Sequence, residues 1–314
     1  MSNLLLTFFC LLIPCWSYAQ AGECLVGDCK EGYGHFRWQS GEEYLGNFQE
    51  GLRNGYGVFY WKNRRKFVGT WQGGKMHGEG LLFHPNGHLQ RGVWKANTFV
   101  KLLRPPYQLS AQNLAHGKKQ LQQILQDRPS MQNLVQPDDP IAQWVILQLA
   151  GVNIKTPIHW QEQADNSFPI PTGVNAVHAY PTAKTEARVW VAPDAQAEQQ
   201  WAGLVYELHN IQNGPAFQQI EEDAKYFRCT KEEYIMRYAR LEYKAAQATA
   251  QFYKDLWKPF CQSQGQSTVP QYWFYYLPPT FEEWAVSFTD KKSYPWHPYE
   301  GYYQKILQTR LKGY

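Results

Sequence analysis

The stretch AEQQWAGLVYELHNIQN, residues 197–213, carries the side chains best suited to chemistry. Glu207 is a carboxylate that can activate water, and His209 is an imidazole that titrates near neutral pH. Metal-assisted hydrolysis from a helix needs two ligands four residues apart, with the carboxylate beside the first. Those two positions are Tyr206 and Asn210. A phenol and an amide are poor zinc ligands, and His209 is turned about 100° from where a ligand would have to stand. The expected metal set is therefore none. The same stretch also fits an ordinary amphipathic helix in which Trp201, Leu204, Val205, Leu208 and Ile211 face a core while Glu207 and His209 are solvated.

No other catalytic set competes. The chain has no Gly-x-Ser-x-Gly elbow, no phosphate loop and no Cys-x-x-Cys, and His116, His159, His178 and His297 are scattered. No cofactor is implied. The stretch follows a strand-like Arg-Val-Trp-Val, a setting that resembles that of the zinc peptidase motif. A zincin-like domain without its metal, with Glu207 and His209 as a hydrolytic pair, is thus the enzymatic alternative.

The elements around this stretch form a C-terminal region, residues 109–314, long enough to bury its own core. Helical patterns cover 117–127, 139–150, 195–212, 216–227, 231–258 and 298–311, and strand-like runs cover 174–180, 187–192 and 272–277. The class expected is α+β, mostly helical. Thr230 and Glu233 have the spacing of a capping box at the start of the longest helix, and Pro259 is expected to stop it. Along it Tyr234, Tyr238, Leu241, Ala245, Ala248, Phe252 and Leu256 step by three and four and mark one buried stripe. An unbroken helix would hold Cys229 and Cys261 on the order of 40 Å apart, so they cannot pair unless it bends back. Leu-Leu-Arg-Pro-Pro-Tyr, inside the segment 102–108, marks a stiff linker.

Upstream lies a repeat. Gly32, Gly55 and Gly78 fall 23 residues apart, as do Gly34, Gly57 and Gly80, and Gly46, Gly69 and Gly92. Phe48, Trp71 and Trp94 form a ring column in the same register. Within a period, two aromatic and β-branched runs flank a polar turn such as Lys62-Asn63-Arg64-Arg65, the pattern of a hairpin. A lone hairpin is marginal, so tandem units must cover one another. The units expected are 32–54, 55–77 and 78–97, inside a β-array spanning 22–101. The glycine between ring residues lets a neighbouring side chain approach the backbone.

These columns, with Gly32, Gly34, Gly41, Tyr44, Gly46, Phe48 and Gly51 in the first unit, resemble the MORN repeat. The second unit has Arg64 where the turn glycine usually lies, and the third ends at Asn97 instead of glycine. The resemblance implies an all-β hairpin array used as a scaffold or interaction surface, with phospholipid binding proposed for some arrays. It covers residues 32–97, in which nine Lys and Arg outnumber four Glu. Lys62, Arg64, Arg65 and Lys66 form a local basic cluster, a candidate surface for a protein partner, an envelope surface or anionic lipid; a solvated turn that keeps the strands soluble is the plainer alternative.

The first 21 residues hold no charged side chain, and the apolar run from Leu4 to Trp16 is shorter than the roughly 20 residues a membrane span needs. This is the core of a signal peptide, segment 1–21, with small residues placing cleavage after Ala19 or Ala21. An uncleaved anchor and an untranslocated apolar tail are the alternatives. Export puts the protein in the periplasm or outside the cell, where Cys24 and Cys29 fit a local disulfide; two free thiols or a metal pair are the other readings. The Cys-Leu-Val-Gly-Asp-Cys lead-in also resembles that of MORN arrays in exported bacterial proteins. A net charge of +4, with 31 basic residues spread against 27 acidic ones, gives no footprint for nucleic acid. The favoured function is binding or scaffolding.

Overall fold

Alternation of side chains along a strand puts every second residue on the same face, and the N-terminal array uses both faces. The computed structural model describes residues 22–102, 109–152, 159–161, 176–179, 188–191, 195–286 and 296–311. The expected signal peptide 1–21, and residues 103–108 of the expected linker, lie outside the described residues. Eight strands follow in chain order, β1 (Gly22–Gly27), β2 (Gly32–Trp38), β3 (Glu43–Gln49), β4 (Leu52–Tyr60), β5 (Lys66–Gln72), β6 (Lys75–Phe83), β7 (Leu89–Lys95) and β8 (Thr98–Leu102). Each pairs antiparallel with the next in one sheet. Each 23-residue period holds one hairpin and its turn, the expected unit starts at 55 and 78 falling inside β4 and β6.

The register explains the glycine columns. Gly34, Gly46, Gly57, Gly69, Gly80 and Gly92 are successive cross-strand partners, a stripe of bare backbone running across six strands. The rings lie on it. A Cβ on Gly57 would come within 2.4 Å of the Tyr44 hydroxyl, and one on Gly80 within 2.1 Å of Phe67 Cζ. Tyr44 and Phe67 are fully buried there, and Trp71 meets both edge-on at 5.5 and 5.3 Å. Trp94 continues the row, 5.5 Å from Phe67. Each ring buried in this way stabilises the sheet by roughly 2–3 kcal/mol.

The opposite face carries Tyr33, Val58, Val68 and Leu81, all buried, and their cover is helical. After the array come α1 (Ala111–Asp127), α2 (Pro129–Gln132) and α3 (Pro140–Val152), then a small sheet of β9 (His159–Gln161), β10 (Ala176–Ala179) and β11 (Arg188–Val191). In that sheet β11 lies between the other two, antiparallel to β10 and parallel to β9. The remaining helices are α4 (Ala197–Gln212), α5 (Gly214–Lys225), α6 (Lys231–Phe252), α7 (Lys258–Ser263), α8 (Phe281–Val286) and α9 (Trp296–Leu311). The C-terminal region is mostly helical, as expected.

Two local expectations are corrected. Pro259 does not stop the long helix: the chain passes through a π turn, Tyr253–Trp257, and continues as α7 with the proline in its first turn. Widening the helix by one residue accommodates the ring and the missing N–H. The aromatic run 272–277 is not a strand but a 3₁₀ turn, Pro270–Trp273, followed by Phe274 in a left-handed conformation. There Trp273 is fully buried, 4.6 Å from Trp257. The capping box does form: Thr230 Oγ1 accepts from the Glu233 N–H at 3.2 Å, and the Thr230 N–H donates to Glu233 Oε2 at 2.8 Å. The longest helix is buried on more than the one expected stripe, since Ile235, Ala239, Tyr243 and Ala246 are also buried.

Array and helices share a core. Tyr33 of β2 packs edge-on against Phe260 of α7 at 5.3 Å, Asn47 of β3 donates its amide N–H to the Asp255 carbonyl in the π turn, and Lys66 Nζ of β5 donates to Gln143 Oε1 of α3 at 3.0 Å. One face of the array is thereby committed to the chain's own helical region.

Candidate functional site

The uncommitted face is aromatic and carries a cation. Arg53 of β4 lies among three rings, its guanidinium carbon 4.5 Å from the centroid of Phe59, 4.6 Å from Trp71 and 5.5 Å from Trp38. Its Nη2 donates to the Gly74 carbonyl at 2.6 Å, which fixes it. The ring surface extends outward through half-buried Phe36, Trp38 and Trp61: Phe36 meets Trp38 at 4.8 Å, Trp38 meets Phe59 at 5.4 Å and Phe59 meets Trp61 at 4.6 Å. A second guanidinium, Arg65, stacks 5.0 Å above Trp61. Desolvation pushes the Arg53 pKa down, but a guanidinium stays charged at any ordinary pH. The result is a buried row of rings whose half-buried margin, Phe36, Trp38 and Trp61, carries two stacked cations.

The expected basic cluster divides at this point. Lys62 and Arg64 are exposed in the β4–β5 turn and Arg65 joins the ring surface. Lys66 faces the other way, over the Phe83 ring at 4.3 Å and bonded to Gln143, and burial pushes its pKa down to about 8. Arg64 has φ +65, in the turn position that Gly41 (φ +85) and Gly87 (φ +81) occupy in the flanking units. The three turns close with the same bond, from Gly41, Arg64 and Gly87 N–H to the carbonyls of Trp38, Trp61 and His84.

Comparison with known families decides what this array is: the MORN repeat family matches residues 30–43, 44–64 and 67–89. The array is built of MORN repeats. No curated protein matches the chain. MORN repeats generally serve protein or membrane-lipid binding. The family matches start at different points from the hairpin units and end at residue 89, short of the third unit's end at 97. The array is closed at its N-terminal end by the Cys24–Cys29 disulfide, with Cα atoms 5.9 Å apart. Cys229 and Cys261 are buried free thiols.

The stretch on α4 differs from its expected solvated state. Trp201, Leu204, Val205, Leu208 and Ile211 form the core face, but Glu207 and Asn210 are also buried, at 3 % and 1 % exposure. The helix packs against α3, α5, α6, β10 and β11, which covers the side that carries Glu207 and Asn210 and leaves Gly203, Tyr206 and His209 partly exposed. Asn210 Nδ2 lies 3.5 Å from Glu207 Oε2, and Tyr206 stacks on Phe274 at 4.8 Å. His209 points elsewhere, 5.2 Å from Trp144, and its apolar surroundings push its pKa down to about 4. Glu207 and His209 are therefore not brought together as an acid–base pair. Among the described residues, no group of three His, Cys, Asp or Glu could hold a metal ion. The zincin-like reading has no support in this geometry.

Glu198, which sequence reasoning passed over, organises the core beside it. Its carboxylate accepts from Trp257 Nε1 at 3.0 Å, Trp273 Nε1 at 2.9 Å and the Val269 N–H at 3.0 Å. Two indole donors on one carboxylate tie the start of α4 to the π turn and the 3₁₀ turn. The residues come from three distant segments, and no spacing in the sequence announces them.

Proposed function

We propose that the chain is an exported binding protein whose MORN array holds a protein partner on its ring face, in the periplasm or outside the cell. The observation that carries this reading is the placing of Arg53 and Arg65 against the half-buried rings Trp38 and Trp61, on the face opposite the one the helices cover. Desolvated guanidinium groups on rings suit a segment that presents carboxylates beside apolar side chains. The helical region supports the array from behind through Tyr33, Asn47 and Lys66. Retention of envelope proteins by the immobilised chain should be lost in R53Q/R65Q and kept in a control such as K119Q, at an exposed position of α1; equal retention by all three would contradict the reading. Export itself is checked by N-terminal sequencing of the mature protein, which should begin at Gln20 or Gly22.

A second reading, docking on anionic lipid, is favoured by the exposed Lys62 and Arg64 at the turn. No described helix is long and apolar enough to cross a membrane. Sedimentation with phosphatidylglycerol vesicles, compared between the natural chain and K62Q/R64Q/R65Q, tests it, and indifference to the substitutions ends it.

A further inference from the structure

A cleft of about 340 Å³ opens in the helical region, lined by Arg228, Cys229, Glu233, Met236, Arg237 and Arg240. Glu233, Met236, Arg237 and Arg240 are spaced three, four and seven apart and so share one side of α6; Arg228 and Cys229 come from the turn after α5. Three guanidinium groups converge on few carboxylates. Arg228 Nε and Arg237 Nη2 share Asp223, at 2.9 and 2.8 Å, and Arg240 Nη2 reaches Glu282 at 3.0 Å. Glu233, the acidic group of the lining, is turned back to cap its own helix through the Thr230 N–H. A guanidinium has five N–H donors in a fixed fork, so each arginine keeps donors beyond those spent on these carboxylates. Asp223, held well ionised by its two arginines at about 2, locks two of the forks in place.

Two aromatic residues directly precede Arg228 in the turn that leads into the cleft. Tyr226 and Phe227 are 53 % and 61 % exposed, large apolar groups turned to solvent. Phe227 is held at φ +54, a conformation that costs a non-glycine residue free energy. Lys225 and Arg228 flank the Tyr226 ring at 5.5 and 5.1 Å. A strained, exposed aromatic beside a fixed set of cations points to a ligand with an apolar body and an anionic head.

We propose that this cleft binds a small organic oxyanion, a phosphate or carboxylate carried on an apolar or aromatic body, with Arg228, Arg237 and Arg240 on the anion and Tyr226, Phe227 and Met236 on the body. Cys229 lines the cleft and reports on it. Phenyl phosphate and benzoate are the probes, with benzyl alcohol as the uncharged control. Alkylation of Cys229 by iodoacetamide, followed by mass spectrometry of the peptide that carries it, should slow several-fold with one or both anions and stay unchanged with benzyl alcohol. Titration calorimetry should show the protecting anion binding at least about tenfold more weakly to R228Q/R240Q, which leaves the Asp223–Arg237 pair in place. Should neither anion protect Cys229 in the natural chain, or should benzyl alcohol protect it equally, the proposal is overturned, whatever the folding of the variant.

Discussion

Asn47 of the MORN array donates its side-chain N–H to the carbonyl of Asp255, four residues before Pro259. A proline has no N–H to offer the carbonyl four residues back. The π turn that accommodates Pro259 thus presents a helical acceptor to the array, and an array residue takes it. The neighbouring strand residue across the sheet from Asn47, Tyr33, packs on Phe260 immediately after the proline. A helix irregularity and a sheet face have been fitted to each other.

Removing these contacts should destabilise both regions together. Y33A should cost about 3 kcal/mol and N47A about 1–2 kcal/mol. Array and helices should lose structure in one transition, followed by near-ultraviolet circular dichroism for the rings and far-ultraviolet signal for the helices. Separate midpoints in Y33A, with the helical signal unmoved, would show that the regions do not lean on each other.

The glycine stripe should tolerate no side chain. G80A would force a Cβ to 2.1 Å from the Phe67 ring and should lower stability by about 2–3 kcal/mol or more. G87N, at a turn glycine whose Cβ would meet nothing within 4 Å, should cost less than about 1 kcal/mol, because asparagine accepts the left-handed backbone. Urea denaturation of the two variants separates close approach from backbone freedom, and equal losses would refute the stacking of rings on bare backbone.

Arg64 carries strain that its counterparts Gly41 and Gly87 avoid. R64G should therefore be up to about 1 kcal/mol more stable than the natural chain, and R64V less stable by more than about 1 kcal/mol. If R64G also weakens vesicle or partner binding, the strain is retained for the charge. Unchanged stability in both variants would contradict the left-handed assignment.

His209 should make stability depend on acid. Its pKa is pushed down to about 4 in the folded chain, against roughly 6.5 unfolded. Between those values the unfolded chain holds the extra proton, so stability rises with pH and is lost as pH falls from about 6.5 towards 4, by up to about 3 kcal/mol. Asp139, pushed up to about 6 by burial, acts in the opposite sense over part of this range. The comparison of interest is thus between the natural chain and H209F: the variant should lack the histidine-linked decline. Parallel pH profiles would contradict the buried, neutral ring.

What the sequence made legible follows from how local the cause is. The 23-residue columns, the hairpins, the Cys24–Cys29 closure and the Thr230–Glu233 capping box depend on neighbours in sequence or on repeated spacing, and all four are seen. The candidate chemistry at Glu207 and His209 was judged from one helix, and a single helix cannot say that its second face is also covered. Burial of Glu207 and Asn210 comes from elements distant in sequence, as do the two indole bonds to Glu198. The docking of Tyr33, Asn47 and Lys66 on the helices was invisible for the same reason. A polar or aromatic residue on the back of a β-ribbon gives no sign of what lies behind it. Pro259 misled because a proline predicts a break, while a π turn lets the helix continue.

A cross-link between positions 66 and 143 tests most directly whether the back of the MORN array is committed to the helices, as the proposed binding through the ring face requires. Lys66 and Gln143 touch across the seam at 3.0 Å. In the K66C/Q143C variant, a short bismaleimide should join the two positions within one molecule in native buffer and fail to do so in denaturant, while K62C/Q143C should stay unlinked. Absence of the native cross-link in K66C/Q143C, or its equal formation in the K62C control, would contradict the docked array and with it the assignment of the binding face.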